Sequence, residues 1–296
     1  MAILAQLKGM EVLMNKYFLY LFLTVISGVT LGVAFNTLKN PVFTPFKGSK
    51  MAQELFIERK AAHDQILAKI KEEFQISDLN WSQFIGNCHA FIEHDDLMGT
   101  GASTIKKDDH DLIKFAKNAL VEYGVNPERV IVQNVGMSGS PCNGTQLLEN
   151  MDSLTYGPDN KIVHYLNLNL SWLKEYDRDV QEAFVRHEIM HLINYDSIEG
   201  AYVTTMLEFL GHKPEEYALK QSRIDYCHQR EMRADLLASC DRAPVAQALQ
   251  KFFQASIKKD PRQDVPSLWI SHPSDKTRNQ QLADLLIKMD HQPKLA

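Results

Sequence analysis

The sequence predicts an α+β chain: a mainly helical domain with a small β-sheet, preceded by one N-terminal hydrophobic helix. Three observations lead there. Tyr17 to Phe35, YFLYLFLTVISGVTLGVAF, is uncharged and lies between Lys16 and Lys39. Two central stretches, RVIVQNV (129–135) and KIVHYLNLNL (161–170), are β-branched or strictly alternating. On both sides of them apolar residues recur at helical spacing.

The apolar run approaches the roughly 20 residues that span a bilayer as a helix. Met14-Asn15-Lys16 also looks like the positive start of a signal peptide, and GVA ending at Ala34 offers small residues for its cleavage. Residues 1–36 are therefore expected to be a single membrane anchor or a cleaved signal, with a buried core helix as a third reading. The chain would be membrane-associated through 17–35, or exported. Lysines on both flanks leave its orientation weakly specified.

NPVFTPFKGSK (40–50) reads as linker, and 37–50 is assigned so. Met51 to Phe74 predicts a helix with Leu55, Ile66, Ile70 and Phe74 on its apolar face. Residues 80–103 carry no clear period. Asp109 to Tyr123 predicts an amphipathic helix capped by Asp108 or Asp109 and stopped by Gly124. MSGSPCNGT (137–145) reads as loop. In 161–170, Ile162, His164, Leu166, Leu168 and Leu170 face one way, and Val163, Tyr165, Asn167 and Asn169 the other. From Asp179 the signals are helical, broken near 211–214 and 261–273. Residues 51–124 form a helical N-terminal part and 125–296 the core.

The chain has 296 residues, 45% hydrophobic and 23% charged, an ordinary globular composition. A net charge of -5 gives no basic footprint, so nucleic acid is not an expected partner. Cys88, Cys142, Cys227 and Cys240 form no CxxC pair, which suggests no cysteine zinc site; they allow one or two disulfides or buried free thiols.

The chemistry concentrates in VRHEIMHLIN (185–194). On a helix His187 and His191 lie one turn apart on one face, so both imidazoles can bind one metal ion. Glu188 is rotated about 100° from His187, close enough to act on a water at that ion as a base. Phe184, Val185, Ile189, Met190, Leu192 and Ile193 make the helix apolar nearly all round, hence buried. Buried His and Glu cost several kcal/mol unless paired or bound to metal.

A catalytic zinc needs a third protein ligand. The metzincin pattern wants glycine at 194 and histidine at 197, where the chain has Asn194 and Ser197. A thermolysin-like spacing wants glutamate near 210, where Leu210 stands and Glu208 is displaced. HQREMRADLLAS (228–239) serves better. Glu231 can ligate while Asp235, one turn on, accepts from a ligand imidazole; Ala234 and Ala238 allow close packing. His228 is a weaker alternative ligand, and a solvated face pairing with Arg230 or Arg233 is the bland one. In SHPSDKTR (271–278) a proline after His272 starts a helix, which could hold His272 over the metal as an oxyanion donor, with Arg278 on a carboxylate.

HEIMH, EMRAD and SHPSDKTR, in that order, resemble the HtpX-like and CAAX-prenyl-endopeptidase family of gluzincin metallopeptidases, which shows HExxH, ExxxD and HPxxxxR. The resemblance runs over roughly residues 125–290 with no substitution at a defining position. It implies a zincin-type domain with one Zn²⁺ per chain held by His187, His191 and Glu231. Glu188 would be the base, and Asp235, His272 and Arg278 supporting residues. A single hydrophobic segment departs from the multi-span members and argues against CAAX processing. The expected activity is hydrolysis of unfolded, misfolded or membrane-associated polypeptides. The 161–170 strand is expected to be a sheet edge that binds substrate backbone through the stretch carrying His164, Tyr165, Asn167 and Asn169. The competing expectation is a zinc-binding holdase or assembly factor with little or tightly regulated proteolysis, against which the intact Glu188 argues. A non-proteolytic zinc hydrolase would use the same ligands.

Overall fold

A computed structural model describes residues 49–94, 110–134, 145–146, 164–259 and 272–291, with the backbone alone at 89–94 and 145–146. The apolar run 17–35, the linker up to 48, Asp108, Asp109, Cys142, Ile162 and Val163 lie outside the described residues. Among the described residues no helix is long and apolar enough to cross a membrane. The fold is α+β and mostly helical, with one three-stranded sheet.

Helix α1 (Lys50–Glu73) begins at Ser49, whose Oγ accepts from the Ala52 N–H, so Lys50 belongs to the helix and not to the linker. Ser49 is itself held by Asp241 through its N–H and its hydroxyl. Leu55, Ile66 and Ile70 are buried as their spacing predicts, and Phe74 with them. Helix α2 (Asp78–His94) occupies part of the stretch without a clear period. Helix α3 (Asp111–Glu122) is capped by His110, whose Nδ1 accepts from the Leu112 N–H, in place of an aspartate. It stops at Gly124, whose φ of +76° only glycine adopts easily. The Val125 N–H then returns to Leu120 and the Gly124 N–H to Val121, satisfying two terminal carbonyls.

Strands β1 (Val130–Asn134), β2 (Thr145–Gln146) and β3 (His164–Leu168) form the sheet in the order β1-β3-β2. β1 runs parallel to β3, from Val130 opposite His164 to Asn134 opposite Leu168. β2 is antiparallel to β3, with Thr145 opposite Leu168 and Gln146 opposite Asn167. β3 is thus the central strand, which corrects the expectation of a substrate-binding edge at Asn167 and Asn169. β1 pairs along all of β3 and β2 takes its other side at Asn167 and Leu168, while among the described residues no strand lies on that side of His164 and Tyr165. Asn167 is buried and its Oδ1 accepts from Gln133 Nε2 on β1 at 2.7 Å. His164 is buried against the Tyr195 ring. Asn169 has left the strand and caps α4 (Leu170–Leu173) by accepting from the Trp172 N–H.

Helix α5 (Arg178–Ile193) carries HEIMH and is buried nearly all round, as its composition requires. Asn194 closes it, its Nδ2 donating to the Met190 carbonyl. Tyr195 then takes a left-handed φ of +53°, a cost of about 1 kcal/mol for a side-chain-bearing residue, and α6 (Asp196–Phe209) starts at once. A short turn α7 (Pro214–Tyr217) leads to α8 (Gln221–Ser239), followed by α9 (Ala243–Lys259) and α10 (Asp275–Asp290). Pro273 does not itself begin α10; Ser274 is the cap, its Oγ accepting from the Thr277 N–H.

Two hydrophobic clusters hold these elements. The larger joins α3, β1, β3, α5, α8, α9 and α10, around Leu166, Ile189, Met190, Leu237 and Phe253. The smaller joins α1, α2, α6 and α8 around Ile70, Phe84, Leu207 and Tyr226. Deleting any of these large buried side chains to alanine costs about 2–5 kcal/mol. Cys88 and Cys240 are buried free thiols within these clusters and Cys227 is free as well.

Candidate metal centre

Helices α5 and α8 pack against each other inside the larger cluster. α5 presents His187 and His191 on one face, and α8 presents Glu231 to both. His187 Nε2 and His191 Nε2 are 3.0 Å apart. Glu231 Oε2 is 3.3 Å from His187 Nε2, and its Oε1 is 3.3 Å from His191 Nε2. A tetrahedral zinc with ligand bonds near 2.0–2.1 Å has edges of about 3.3 Å between ligand atoms. The two imidazoles stand near that separation, and Glu231 straddles them with one oxygen toward each. This cluster could hold a metal ion. His228 is not part of it.

Each imidazole offers Nε2 inward and keeps Nδ1 for a carboxylate behind it. His187 Nδ1 lies 2.8 Å from Asp235 Oδ1, on α8 one turn beyond Glu231. Asp235 is fully buried and receives two bonds from Arg278, Nε to Oδ2 at 2.6 Å and Nη2 to Oδ1 at 2.7 Å. His191 Nδ1 lies 2.6 Å from Asp196 Oδ2. Asp196, also fully buried, is held by Arg233, with Arg230 Nε 3.9 Å away. A carboxylate on the far nitrogen sets ring orientation and tautomer and raises the basicity of the ligating one.

The electrostatics follow from these pairs. Burial alone would raise Asp235 and Asp196, yet the arginine charges hold both below the usual carboxylate range. Burial would likewise raise Glu231, but His191, His272 and His187 keep it well below normal. Burial would lower the two imidazoles, but Asp235 and Glu231 raise His187, and Glu231 with Asp196 lifts His191 to about 10. The pocket therefore favours positive charge between the two Nε2 atoms, whether as protons or as a metal cation.

Glu188 follows His187 on α5, and burial pushes its carboxyl up to about 7. Among the described residues no hydrogen bond or ion pair holds it, so it can meet a water or a substrate group. His272 stands before α10 with Nε2 3.6 Å from Glu231 Oε2. Its partial burial and the nearby Arg278 lower its pKa against the pull of Glu231, which favours the neutral ring. Arg278 Nη1 reaches to 3.5 Å from Glu231 Oε2, so one guanidinium touches both acidic residues of the EMRAD helix.

His187, Glu188, His191, Glu231, Asp235, His272 and Arg278 all gather at this centre as the sequence predicts. Asn167 lies between two strands and Asn169 caps α4, so neither supplies a substrate edge. Asp196 was missed: it lies five residues beyond His191 on the next helix, and only the short Asn194-Tyr195 connection hints at it. A cavity of about 640 Å³ opens beside Leu55, Arg59, Met232, Thr277 and Gln281, and none of the cluster residues lines it. In comparisons with known proteins, no family model, no curated protein and no solved structure matches this chain.

Proposed function

We propose that this chain is a zinc-dependent endopeptidase of the HtpX-like, CAAX-prenyl-endopeptidase type, acting on unfolded, misfolded or membrane-associated polypeptides. The observation that supports it best is the convergence of the ligand atoms of His187, His191 and Glu231, within 4.8 Å of one another, beside Glu188, which has no hydrogen bond or ion pair among the described residues. Zinc at this point would supply a Lewis acid that polarises a carbonyl and acidifies water. His187, His191 and Glu231 would hold it. Glu188 would take the proton of the attacking water and pass it to the leaving amine nitrogen. His272 would donate a hydrogen bond to the developing oxyanion. Asp235 and Asp196 orient the two imidazoles, and Arg278 keeps Asp235 charged.

With β3 central, the antiparallel strand β2, which packs on α5, is the backbone that an extended substrate would pair with. The apolar run 17–35 would tether the domain at a membrane or direct its export, which suits membrane-associated substrates.

The test uses the full-length chain with one equivalent of zinc and unfolded casein, beside Glu188→Gln. Cleavage by the parent with at least a ~10²-fold lower rate in the variant supports the reading. Equal cleavage by both would exclude Glu188 as the base. Zinc binding without cleavage by either would favour a zinc-binding assembly factor.

A further inference from the structure

Behind the metal centre, α6 carries two carboxylates and α8 two arginines. Asp196 and Glu199 lie three residues apart on α6, hence on one face. Arg230 and Arg233 lie three residues apart on α8, and the ligand Glu231 stands between them in sequence. Arg233 already occupies Asp196 Oδ1. Arg230 Nε is buried, makes no hydrogen bond and sits 3.9 Å from that same oxygen. Its guanidinium lies over the Tyr226 ring at 5.3 Å and against Gly200, where a Cβ would stand 2.7 Å from Nη1. The glycine leaves the room that the arginine fills.

Asp196 faces the buried Arg233 and the mostly buried Arg230 while also serving His191. A second carboxylate on the same helix is Glu199, which shares Tyr226 with Arg230. Its Oε1 accepts from Tyr226 OH at 2.9 Å and lies 2.6 Å from His63 Nε2 of α1. His63 is buried, and its far nitrogen forms no hydrogen bond, so its polar contact is spent on Glu199.

We propose that Glu199 is a positioning residue for the metal centre: it balances Arg230 so that Asp196 stays on His191, and His63 of α1 holds Glu199 in place. Without the Glu199 charge, Arg230 closes on Asp196 Oδ1, and a net positive charge sits behind a metal ligand. The inference rests on the reading that the cluster binds metal. It gives the N-terminal helix a task, since α1 reaches the metal centre through His63, Glu199, Arg230 and Asp196.

The experiment is zinc titration of the metal-stripped full-length protein against a chromophoric chelator at 25 °C, with the visible spectrum of the cobalt-substituted protein as a second readout. Glu199→Gln should weaken zinc binding by up to roughly ten-fold, the low end of what loss of a ligating histidine's own outer partner costs. Adding Arg230→Met to Glu199→Gln removes both charges together and should restore affinity to within about three-fold of the parent. His63→Gln, which keeps a donor to Glu199, should bind like the parent, while His63→Leu should follow Glu199→Gln. A purely structural role would lower the melting temperature without changing the zinc affinity of the folded protein or its cobalt spectrum. Unchanged affinity in Glu199→Gln, or no recovery in the double variant, overturns the inference while leaving the metal site standing. Failure of the parent to bind zinc overturns both.

Discussion

The two imidazoles at the metal centre are backed in different ways, and the contrast separates rigidity from tuning. Behind His187, Asp235 meets one arginine in a closed two-bond pair that joins α8 to α10. Behind His191, Asp196 meets Arg233 and has Arg230 close by, while Glu199 three residues on meets His63 of α1. The first arm is compact, one anion held by one cation that also reaches Glu231. The second is an open chain that ties α6 and α8 to α1. A closed pair fails as a unit when one partner is lost, whereas an open chain redistributes charge and shifts what it supports.

The largest effect should come from breaking the closed arm. Arg278→Leu leaves Asp235 buried without its cation and should cost about 3–5 kcal/mol in urea unfolding of the metal-free protein. A loss below about 1 kcal/mol would mean that the pair is solvated and that the contrast does not hold. Next comes the open arm. Asp196→Asn should weaken zinc binding roughly 10–100-fold, measured by chelator competition, with a smaller loss of unfolding free energy than Arg278→Leu.

A subtler distinction is one of pH. Burial would raise Glu199, but His63 holds it below its ordinary value of 4.5. A depressed carboxylate contributes its stability fully above that value and loses it as pH falls below. The stability difference between the parent and Glu199→Gln should therefore shrink as pH falls below about 4.5. A difference that grows below that pH would rule out a charged Glu199. The smallest effect sets the baseline. Lys60 and Asp64 pair at 2.7 Å on the surface of α1, and Asp64→Asn should change unfolding by less than about 0.5 kcal/mol.

What was legible in the sequence follows the range of the physical rule that reads it. His187 and His191, and then Glu231 and Asp235, are pairs one turn apart on single helices, so the helical period alone placed them on common faces. Gly124 was legible because a left-handed helix end has few other occupants. Asp196 was not, because Tyr195 turns the chain between two helices and brings the next element's first residue back to His191. The centrality of β3 was not legible either. Its partner β2 is two residues long, too short for alternation to announce it, and which side a strand pairs on is set by elements distant in sequence. The His110 cap was passed over because two aspartates preceded it.

The sequence by itself determined the mixed α+β character, the buried helix with two histidines on one face, and the acidic helix that meets it. Periodicity and burial act within one element and leave their mark on neighbouring residues. Only the tertiary structure decided that Asp196 backs His191, that Arg233 and Arg230 gather at Asp196 behind the centre, and that His63 of α1 meets Glu199 on the helix that Asp196 begins. Those contacts join residues from 5 to 136 positions apart, and ion pairs carry no periodic signature in the chain that forms them.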